Sequence, residues 1–353
     1  MTLFFYLLRQ LTLATVFASV SLAFVVFPGV AVSAVHKLGG VSLTAVLQYI
    51  PMIGAELAPY LLSLGFLLGT VSTFGRLGAD REWIAIQMSG QHPWRSLIPG
   101  LLLAGVLGGG TYWLASDLSP LWKYESANFR TNALLESFRN GAPGRTEIDF
   151  GKFYLGSEAR DRETGEFVDV QVRVPSEEGI DRSMVAKRAK YDVKGDYLLL
   201  EFKDMRSIDE AGRAHNENPI ITVPLDLLVE RRDRDRSRAA YRSSREMAEG
   251  LRSGEVEERL VDGYRFEIHR RYALGIMFGI FLVVGASTGL WLRNGQLTGL
   301  GIAALYAFVY YVLSMRLGRE LAENGVFSPV LAAWTTNLIG GGLAAACLWR
   351  FRR

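Results

Sequence analysis

Motifs of reactive chemistry are absent from this chain of 353 residues. It has one cysteine, Cys347, and four scattered histidines, with no CxxC, HExxH, Walker A or nucleophile-elbow pattern. Each of these patterns is the local signature of a metal, nucleotide or nucleophilic site. We therefore expect no metal site, no bound cofactor and no covalent chemistry by this chain alone. Energy for any active transport would have to come from a partner.

Charge is missing from long stretches of the sequence. Charge-free runs cover residues 11–32, 96–116, 272–292, 294–315 and 326–349. Between Lys37 and Arg76 the single charged residue is Glu56. A helix needs about 20 apolar residues to cross a bilayer. The pattern predicts six membrane spans, at about 10–33, 52–74, 96–116, 271–292, 297–316 and 327–349.

The first apolar run has a second interpretation, a cleaved signal peptide. Val32-Ser33-Ala34 is an acceptable cleavage site. The run is longer than the roughly 7–15 residues of a signal core, and no Lys or Arg precedes Arg9. A membrane helix is therefore the better interpretation.

The charges concentrate in the middle of the chain. Residues 117–269 hold 26 of the 39 Lys and Arg residues and 31 of the 36 Asp and Glu residues, and no long basic patch suggests nucleic acid. We predict three parts: residues 1–116 with spans one to three, residues 117–265 as a soluble domain, and residues 266–353 with spans four to six.

Basic residues between the spans predict the orientation. The segments on the side of the two termini contain Arg9, Arg76, Arg81, Arg95, Arg293, Arg350, Arg352 and Arg353. The opposite short segments contain Lys37, Arg270, Arg271, Arg316 and Arg319. Since cytoplasmic loops are enriched in Lys and Arg, we predict that both termini are cytoplasmic and the soluble domain is external.

Strand patterns dominate the soluble domain. Residues 167–174 alternate strictly, with four valines predicted on one face, and a turn at 162–165 precedes them. A second hairpin is predicted from 184–193 to 197–208, and 219–229 offer another strand. Short strands with tight turns indicate an all-β domain of sandwich or jelly-roll type.

A mixed-charge linker follows the strands, and its charges are typical of a solvated surface. Ser243 and Glu246 then have the spacing of a capping box. A short helix is expected at about 244–253.

Cations cluster near the predicted outer ends of the spans, at Lys37, Arg270, Arg271, Arg316 and Arg319. One interpretation is that these side chains are anchors at the membrane surface. The other is a ring of cations that faces anionic lipid, because Arg and Lys pair well with phosphate.

Glycines recur at four-residue spacing in several spans, as in Gly65/Gly69, Gly105/Gly109, Gly275/Gly279 and Gly285/Gly289. Such spacing lets helices approach closely. It is compatible with packing inside one bundle or with self-association.

A short amphipathic helix interrupts the apolar runs between spans two and three, at about 79–90. It begins with Asp80, Arg81 and Glu82 and carries apolar side chains at Trp83, Ile84, Ile86 and Met88. Acidic residues in the first turn suit the helix dipole, and Gly90 and Pro93 predict its end. A helix of this length is marginal alone and needs a surface to pack against.

Three segments in order resemble one family. They are FGRLGADREWIAIQMSG, FEIHRRYALGIMFGIFLVVGASTGL and ENGVFSPVLAAWTTNLIGG. With the layout of three spans, a domain and three spans, the chain resembles the lipopolysaccharide-export permeases LptF/LptG, also called YjgP/YjgQ. The resemblance covers essentially the whole chain.

The resemblance implies a function in outer-membrane biogenesis. The chain would be an inner-membrane permease subunit of an ABC exporter, without an ATPase site of its own. With a second LptF/LptG-type permease and a cytoplasmic ABC ATPase dimer, it would extract lipopolysaccharide or a related anionic glycolipid from the outer leaflet. An external β-jelly-roll would pass the lipid to LptC/LptA-like bridge proteins in the periplasm.

The resemblance also assigns roles to residues. The helix at 79–90 becomes the coupling helix that contacts the ATPase through Asp80, Arg81, Glu82, Trp83, Ile84, Ile86 and Met88. Lys37, Arg271, Arg316 and Arg319 become candidates for binding lipid phosphate. Which of the two permeases the chain is, and which lipid it moves, stay open.

Three other classes of protein share parts of this pattern, and two of them differ from it in one feature. A membrane-anchored binding or scaffold protein would use the β domain without transport. A membrane enzyme acting on lipid would need a catalytic cluster, which is missing. A lipoprotein-release permease carries its external domain after span one, whereas here it follows span three.

Overall fold

The computed structural model describes most of the chain. The described ranges are 2–37, 43–90, 92–139, 146–149, 154–161, 164, 166–174, 182–194, 197–208, 214–217, 220–224, 237–292, 296–313 and 317–351. The chain folds as two compact units. The first contains Met1–Val30, Ile53–Lys123 and Arg236–Arg353, and the second contains Ala31–Met52 and Tyr124–Asp235.

Helices make up most of the described residues. They are α1 (Thr2–Lys37), α2 (Leu43–Ala79), α3 (Glu82–Met88), α4 (Ile98–Trp113), α5 (Ser119–Arg139), α6 (Ser244–Ser253), α7 (Glu258–Trp291), α8 (Gln296–Val312), α9 (Gly318–Glu323) and α10 (Pro329–Phe351). A π-helical turn, Leu114–Leu118, joins α4 to α5. Short 3₁₀ helices lie at Pro93–Leu97 and Ala239–Tyr241.

Five helical stretches of the described chain are long and apolar enough to cross a membrane. They are Leu3–Val35, Leu43–Ala79, Trp94–Phe129, Glu258–Trp291 and Pro329–Trp349. The predicted fifth span, 297–316, corresponds to the shorter apolar helix α8, and residues 314–316 lie outside the described ranges. A polytopic membrane protein is therefore confirmed, while the number of six spans stays a prediction.

Glycines allow close contact between α2 and its neighbours. A Cβ on Gly69 would lie 2.7 Å from the backbone nitrogen of Thr15 in α1. One on Gly289 would lie 2.5 Å from the carbonyl oxygen of Val71. For these two predicted pairs, Gly65/Gly69 and Gly285/Gly289, packing within the bundle is thus confirmed.

The glycines of α4 divide differently. Gly108, outside the predicted pairs, meets Gly275 of α7 backbone to backbone. Gly105 and Gly109 have nothing within 4 Å of an added Cβ. The close approach of α4 and α7 therefore depends on a position that the four-residue pairs did not include.

Aromatic side chains fill the centre of the first unit. Phe66 of α2 lies against Phe278 of α7, with ring centroids 5.4 Å apart. Phe281 of α7 contacts Tyr310 of α8 edge to face at 5.2 Å. This buried cluster joins α2, α7 and α8 into one bundle. Aromatic pairs of this geometry add to the stabilisation from apolar burial.

The second unit contains an antiparallel sheet. Its described strands are β1 (Thr146–Asp149), β2 (Tyr154–Arg160), β3 (Phe167–Val174), β4 (Arg182–Lys194), β5 (Tyr197–Ile208), β6 (Ala214–Glu217) and β7 (Ile220–Pro224). They follow the order β1-β2-β3-β4-β5-β6, and β7 pairs with the first half of β5. Each strand pairs with its neighbour in sequence from β1 to β6, so the sheet is a meander.

Both predicted hairpins are confirmed. β2 pairs with β3, for example Ser157 with Val170, and β4 pairs with β5 from Lys194–Tyr197 outward. The predicted capping box is confirmed too. Ser243 accepts a hydrogen bond from the Glu246 backbone N–H at 3.1 Å, and the Glu246 carboxylate accepts one from Ser243 N–H. The helix that follows spans Ser244–Ser253.

Of the four valines predicted on one face of residues 167–174, Val170 and Val172 are buried and Val168 is half-buried. In β3 the buried residues are Phe167, Val170 and Val172, so the alternation shifts at Asp169. Asp169 adopts a left-handed backbone with φ 49°, and Asp204 on β5 does the same with φ 54°. Asp tolerates this conformation better than β-branched residues do.

The same shift crosses the neighbouring strands. β4 buries Ala186 and Ala189, and β5 buries Phe202 and Met205, each pair three residues apart. These residues are cross-strand partners, Ala186 with Met205 and Ala189 with Phe202. The spacing of buried residues therefore changes along the same line in three adjacent strands, beside the two left-handed residues.

Glu166, directly before β3, is a buried carboxylate. Its side chain accepts a hydrogen bond from Lys203 Nζ at 2.6 Å, and Arg188 Nη1 lies 3.6 Å from its other oxygen. The hydrogen bond from Lys203 holds the pKa of the Glu166 carboxyl below its ordinary value. The carboxylate therefore stabilises the fold above its unfolded pKa of about 4.3, and this is lost as pH falls through the lower folded pKa.

We expect Glu166→Gln to lower the unfolding temperature by a few degrees at pH 7, because Lys203 and Arg188 lose their acceptor charge. Below the folded pKa of Glu166 the difference from wild type should disappear. Thermal unfolding in detergent at several pH values measures this. Glu158→Gln, at an exposed position of β2, is the control. An equal loss at neutral and acidic pH would contradict the role of the ionised carboxylate.

Candidate functional site

Helix α3 is shorter than the predicted 79–90 because backbone turns limit it at both ends. Arg81 precedes it in a left-handed conformation with φ 62°, and Gly90 follows with φ 76°. The Arg81 carbonyl accepts hydrogen bonds from the N–H groups of Ile84 and Ala85. The left-handed turn at Arg81 redirects the chain after α2, so that α3 starts a new direction.

The apolar residues of α3 divide between two faces. Trp83 is 8% exposed and Ile86 is 9% exposed, and Trp83 contacts Phe74 of α2 edge to face at 6.2 Å. Ile84 is 40% exposed and Met88 is 83% exposed. The structure thus places Trp83 and Ile86 against the chain's own bundle. The apolar surface left for a partner consists of Ile84 and Met88.

A polar contact also fastens α3 to the bundle. Tyr6 Oη of α1 donates a hydrogen bond to Glu82 Oε2 at 2.9 Å. Together with the buried Trp83 this holds the helix at two points. Asp80 lies in the turn before α3, and its N–H bonds to the Arg76 carbonyl. These contacts hold α3 against α1 and α2, and they leave its opposite face exposed.

The structure places the predicted phosphate-binding cations in different environments. Arg319 is an exposed residue of α9. Lys37 is the last residue of α1, and its side chain lies outside the described part, as does all of Arg316. Arg271 is 1% exposed, and its guanidinium bonds to acceptors inside the chain.

A buried ion cluster lies near the N-terminal end of α7. Glu267 accepts two hydrogen bonds from Arg270, one from Nε at 2.9 Å and one from Nη2 at 2.6 Å. It accepts a third from Arg271 Nε at 3.1 Å. Arg270 Nη1 reaches Tyr60 Oη of α2 at 3.2 Å. All three charged groups are at most 9% exposed, so Glu267 is the counter-ion that makes two buried arginines tolerable.

The other donors of Arg271 bind backbone. Nη1 donates to the carbonyls of Ser116 at 3.3 Å and Arg242 at 2.9 Å, and lies 3.2 Å from Ser244 Oγ. Nη2 donates to the Ala239 carbonyl at 3.0 Å. The guanidinium is thus surrounded by acceptors of its own chain. This geometry gives Arg271 an internal role and leaves its donors engaged.

Sequence reasoning missed Glu267 as a functional residue. It counted Arg270 and Arg271 as surface cations because they lie at the predicted end of a span. A signal was present, since Glu267 precedes them by three and four residues, the spacing of neighbours on a helix. Their burial depends on residues 237–244, which pack against α7 although they are distant in sequence. No local sequence pattern predicts this contact.

An apolar cavity of about 500 Å³ lies elsewhere in the first unit, between α2, α7, α8 and α10. Val71, Trp291 and Leu343 contribute to its lining, and none of the lining residues that the structure describes is charged. The phenol oxygen of Tyr306 beside it has no hydrogen-bond partner among the described residues. The cavity has room for hydrocarbon, and its described lining offers no cation for a phosphate.

Long apolar helices, with an antiparallel sheet inserted between them in the sequence, define the class as a polytopic membrane protein with an inserted β unit. The sequence matches the model of the lipopolysaccharide export system permease family LptF/LptG over residues 5–353, and the chain belongs to this family. The predicted resemblance is thereby confirmed. Comparison with curated proteins finds no match.

Membership settles the broad function. The family consists of lipopolysaccharide export permeases, which are transport subunits and not enzymes. Family and apolar helices together indicate a multi-pass protein of the inner membrane.

Proposed function

We propose that this chain is one of two permease subunits of an ABC exporter. It extracts lipopolysaccharide, or a related anionic glycolipid, from the outer leaflet of the inner membrane and passes it to a periplasmic jelly-roll bridge. A separate cytoplasmic ATPase dimer supplies the energy. The family match across residues 5–353 carries this proposal, because it includes the membrane helices and the inserted sheet together.

Orientation follows from the distribution of basic residues. Both termini and α3 are cytoplasmic, and the sheet unit is periplasmic. On that side of the membrane, Ile84 and Met88 of α3 are available to a groove on the ATPase. Buried Trp83 packs against α2, and the hydrogen bond from Tyr6 to Glu82 joins α3 to α1. Force applied to α3 therefore reaches α1 and α2.

The second permease packs along α1. Only 11% of the apolar window of α1 is buried in the chain, against 56% for α2 and for α7. The strongly exposed side chains of α1 include Phe5, Leu13, Phe17, Phe24 and Val25. Apolar side chains on α8, among them Leu305 and Phe308, are exposed as well. We propose that two such subunits enclose the lipid cavity between α1 and α8 of each.

Phosphate recognition falls to the cations near the outer ends of the spans. Arg319 is an exposed cation of α9, and Lys37 and Arg316 occupy comparable sequence positions at span ends. Arg271 has its donors engaged internally, so we assign it no direct lipid contact. The sheet buries apolar side chains, among them Phe167 and Phe202, and we propose that it is a β unit of jelly-roll type that receives the acyl chains.

The direct test is ATP-driven lipid transfer from proteoliposomes. The vesicle membrane contains this chain, its partner permease, the ATPase and lipopolysaccharide. A photo-crosslinkable acceptor domain is added to the outside solution. We expect acceptor crosslinks that depend on ATP. Crosslinks without ATP, or none with all subunits assembled, would favour the alternative of a membrane-anchored scaffold protein.

In this assay we expect Lys37→Glu to lower lipid transfer by about tenfold, which is about 1.4 kcal/mol of lost phosphate contact. Lys37→Arg keeps the charge and should transfer as wild type. ATPase recovery with the complex should be equal for both variants. Unchanged transfer by Lys37→Glu would remove this residue from the proposed phosphate site.

A further inference from the structure

Residues 237–244 form a segment that leads into α6, which we call the return segment. Three of its carbonyl groups accept hydrogen bonds from α7 side chains. Ser237 accepts from Tyr264 Oη, and Ala239 and Arg242 accept from Arg271 at 3.0 and 2.9 Å. Three of the contacts from α7 are therefore made to the backbone of this segment, and one more, from Arg271 to Ser244 Oγ at 3.2 Å, is made to a side chain.

The return segment meets a second irregular element at the same place. Ser244 Oγ donates a hydrogen bond to Ser116 Oγ at 3.0 Å, and the Ser116 carbonyl accepts from Arg271. Ser116 belongs to the π-helical turn Leu114–Leu118. Such turns interrupt the regular helix ladder and occur often at functional positions. One guanidinium therefore joins α7, the π turn and the return segment.

We propose that Arg271 is a positioning residue of lipid export. Balanced by Glu267, it keeps the return segment fastened to the π turn throughout the transport cycle, so that movement of α7 carries the segment with it. This inference rests on the proposed export function. It gives a role to the FEIHRR motif, which neither the coupling helix nor the phosphate site explains.

An arginine suits this role because of its planar, fixed fork of five N–H donors. A lysine at the same position would keep the charge opposite Glu267, but its three donors diverge from one atom and cannot serve carbonyls on separate elements. The carboxylate of Glu267 fixes the Nε edge of Arg271, which leaves both Nη groups aimed at the return segment. Arg271→Lys therefore keeps the charge opposite Glu267 but removes the hydrogen bonds to the return segment.

The test uses the complete reconstituted exporter and compares Arg271→Lys with wild type. We expect normal assembly and ATP hydrolysis within about twofold, but about tenfold less lipid transferred per ATP hydrolysed, because the carbonyl contacts are lost. General loss of stability would lower assembly and hydrolysis as well. Arg265→Lys, at an exposed position on the same helix, is the control and should behave as wild type.

A disulfide provides the second measurement. Ser116→Cys and Ser244→Cys replace two hydroxyls whose oxygens lie 3.0 Å apart, with Cys347→Ala to remove the natural thiol. In the Arg271→Lys background, oxidation should restore transfer to within about twofold of wild type, and reduction should abolish the gain. In the Arg271 background, oxidation should leave transfer unchanged.

Two results would overturn the proposal. One is transfer per ATP that is unaffected by Arg271→Lys. The other is an oxidised disulfide that stops transfer in the Arg271 background, which would show that the segment must detach. The second result is measured without the Arg271→Lys substitution, so it can be obtained even if that variant does not fold. Absence of transfer by the wild-type exporter would instead refute the proposed function, so the two failures are distinguishable.

Discussion

Gly289→Ala should destabilise the helix bundle by about 3 kcal/mol, at the upper end for overpacked interiors. A Cβ at this position would lie 2.5 Å from the carbonyl oxygen of Val71 and 2.8 Å from the backbone nitrogen of Gly75. Both obstacles are backbone of α2, which cannot rotate away as a side chain can. The two helices would have to separate, and the contact of Phe66 with Phe278 would loosen with them.

Thermal unfolding in detergent, followed by tryptophan fluorescence or by loss of the monodisperse peak, measures this effect. Gly109→Ala is the matched control, because nothing lies within 4 Å of its added Cβ and alanine favours helix. We expect a fall of several degrees for Gly289→Ala and none for Gly109→Ala. Equal behaviour of the two variants would mean that α2 and α7 do not pack at this distance.

Close helix packing also has a consequence for transport. Gly69 of α2 packs against α1, and Gly289 of α7 packs against α2, so that two helices lie in close contact with α2, which leads directly to α3. Packed helices move together because their interiors lack free volume. A displacement of α3 would therefore be shared by α1 and α7, which is the property that an energy-coupled permease needs.

Local patterns in the sequence predicted the elements well. Apolar runs predicted six spans, of which five correspond to long apolar helices and one to a shorter apolar helix. Alternation and turns predicted two hairpins, and Ser243 with Glu246 predicted the start of α6. Each of these depends on residues close together in the chain. The three family segments predicted the family, which the match over residues 5–353 confirms.

Features that depend on distant contacts could not be predicted in this way. The left-handed turn at Arg81 decides which side of α3 faces inward, and so Trp83 is buried although it was expected on the partner surface. Asp169 and Asp204 have a left-handed backbone and lie where the spacing of buried residues in the sheet changes. Alternation counts residues along a strand, and it contains no information on φ.

The exposed face of α3 gives the prediction with the largest expected effect. Ile84→Asp combined with Met88→Asp should reduce ATPase association by at least about 100-fold, because two apolar contacts are lost and two charges enter the interface. Both side chains point away from the bundle, with 40% and 83% exposure, so the permease itself should fold and insert normally. Pull-down of the ATPase from detergent extracts, with size-exclusion profiles of the permease, measures both properties.

Ile84→Leu combined with Met88→Leu is the matched control, since it keeps both positions apolar and should recover the ATPase as wild type does. Trp83→Ala tests the opposite face. Because Trp83 packs on Phe74, this variant should lower the stability of the permease before it affects association. Stoichiometric recovery of the ATPase by the double aspartate variant would show that α3 is not the contact. Loss of association by Trp83→Ala at full stability would place the contact on the face that the structure buries.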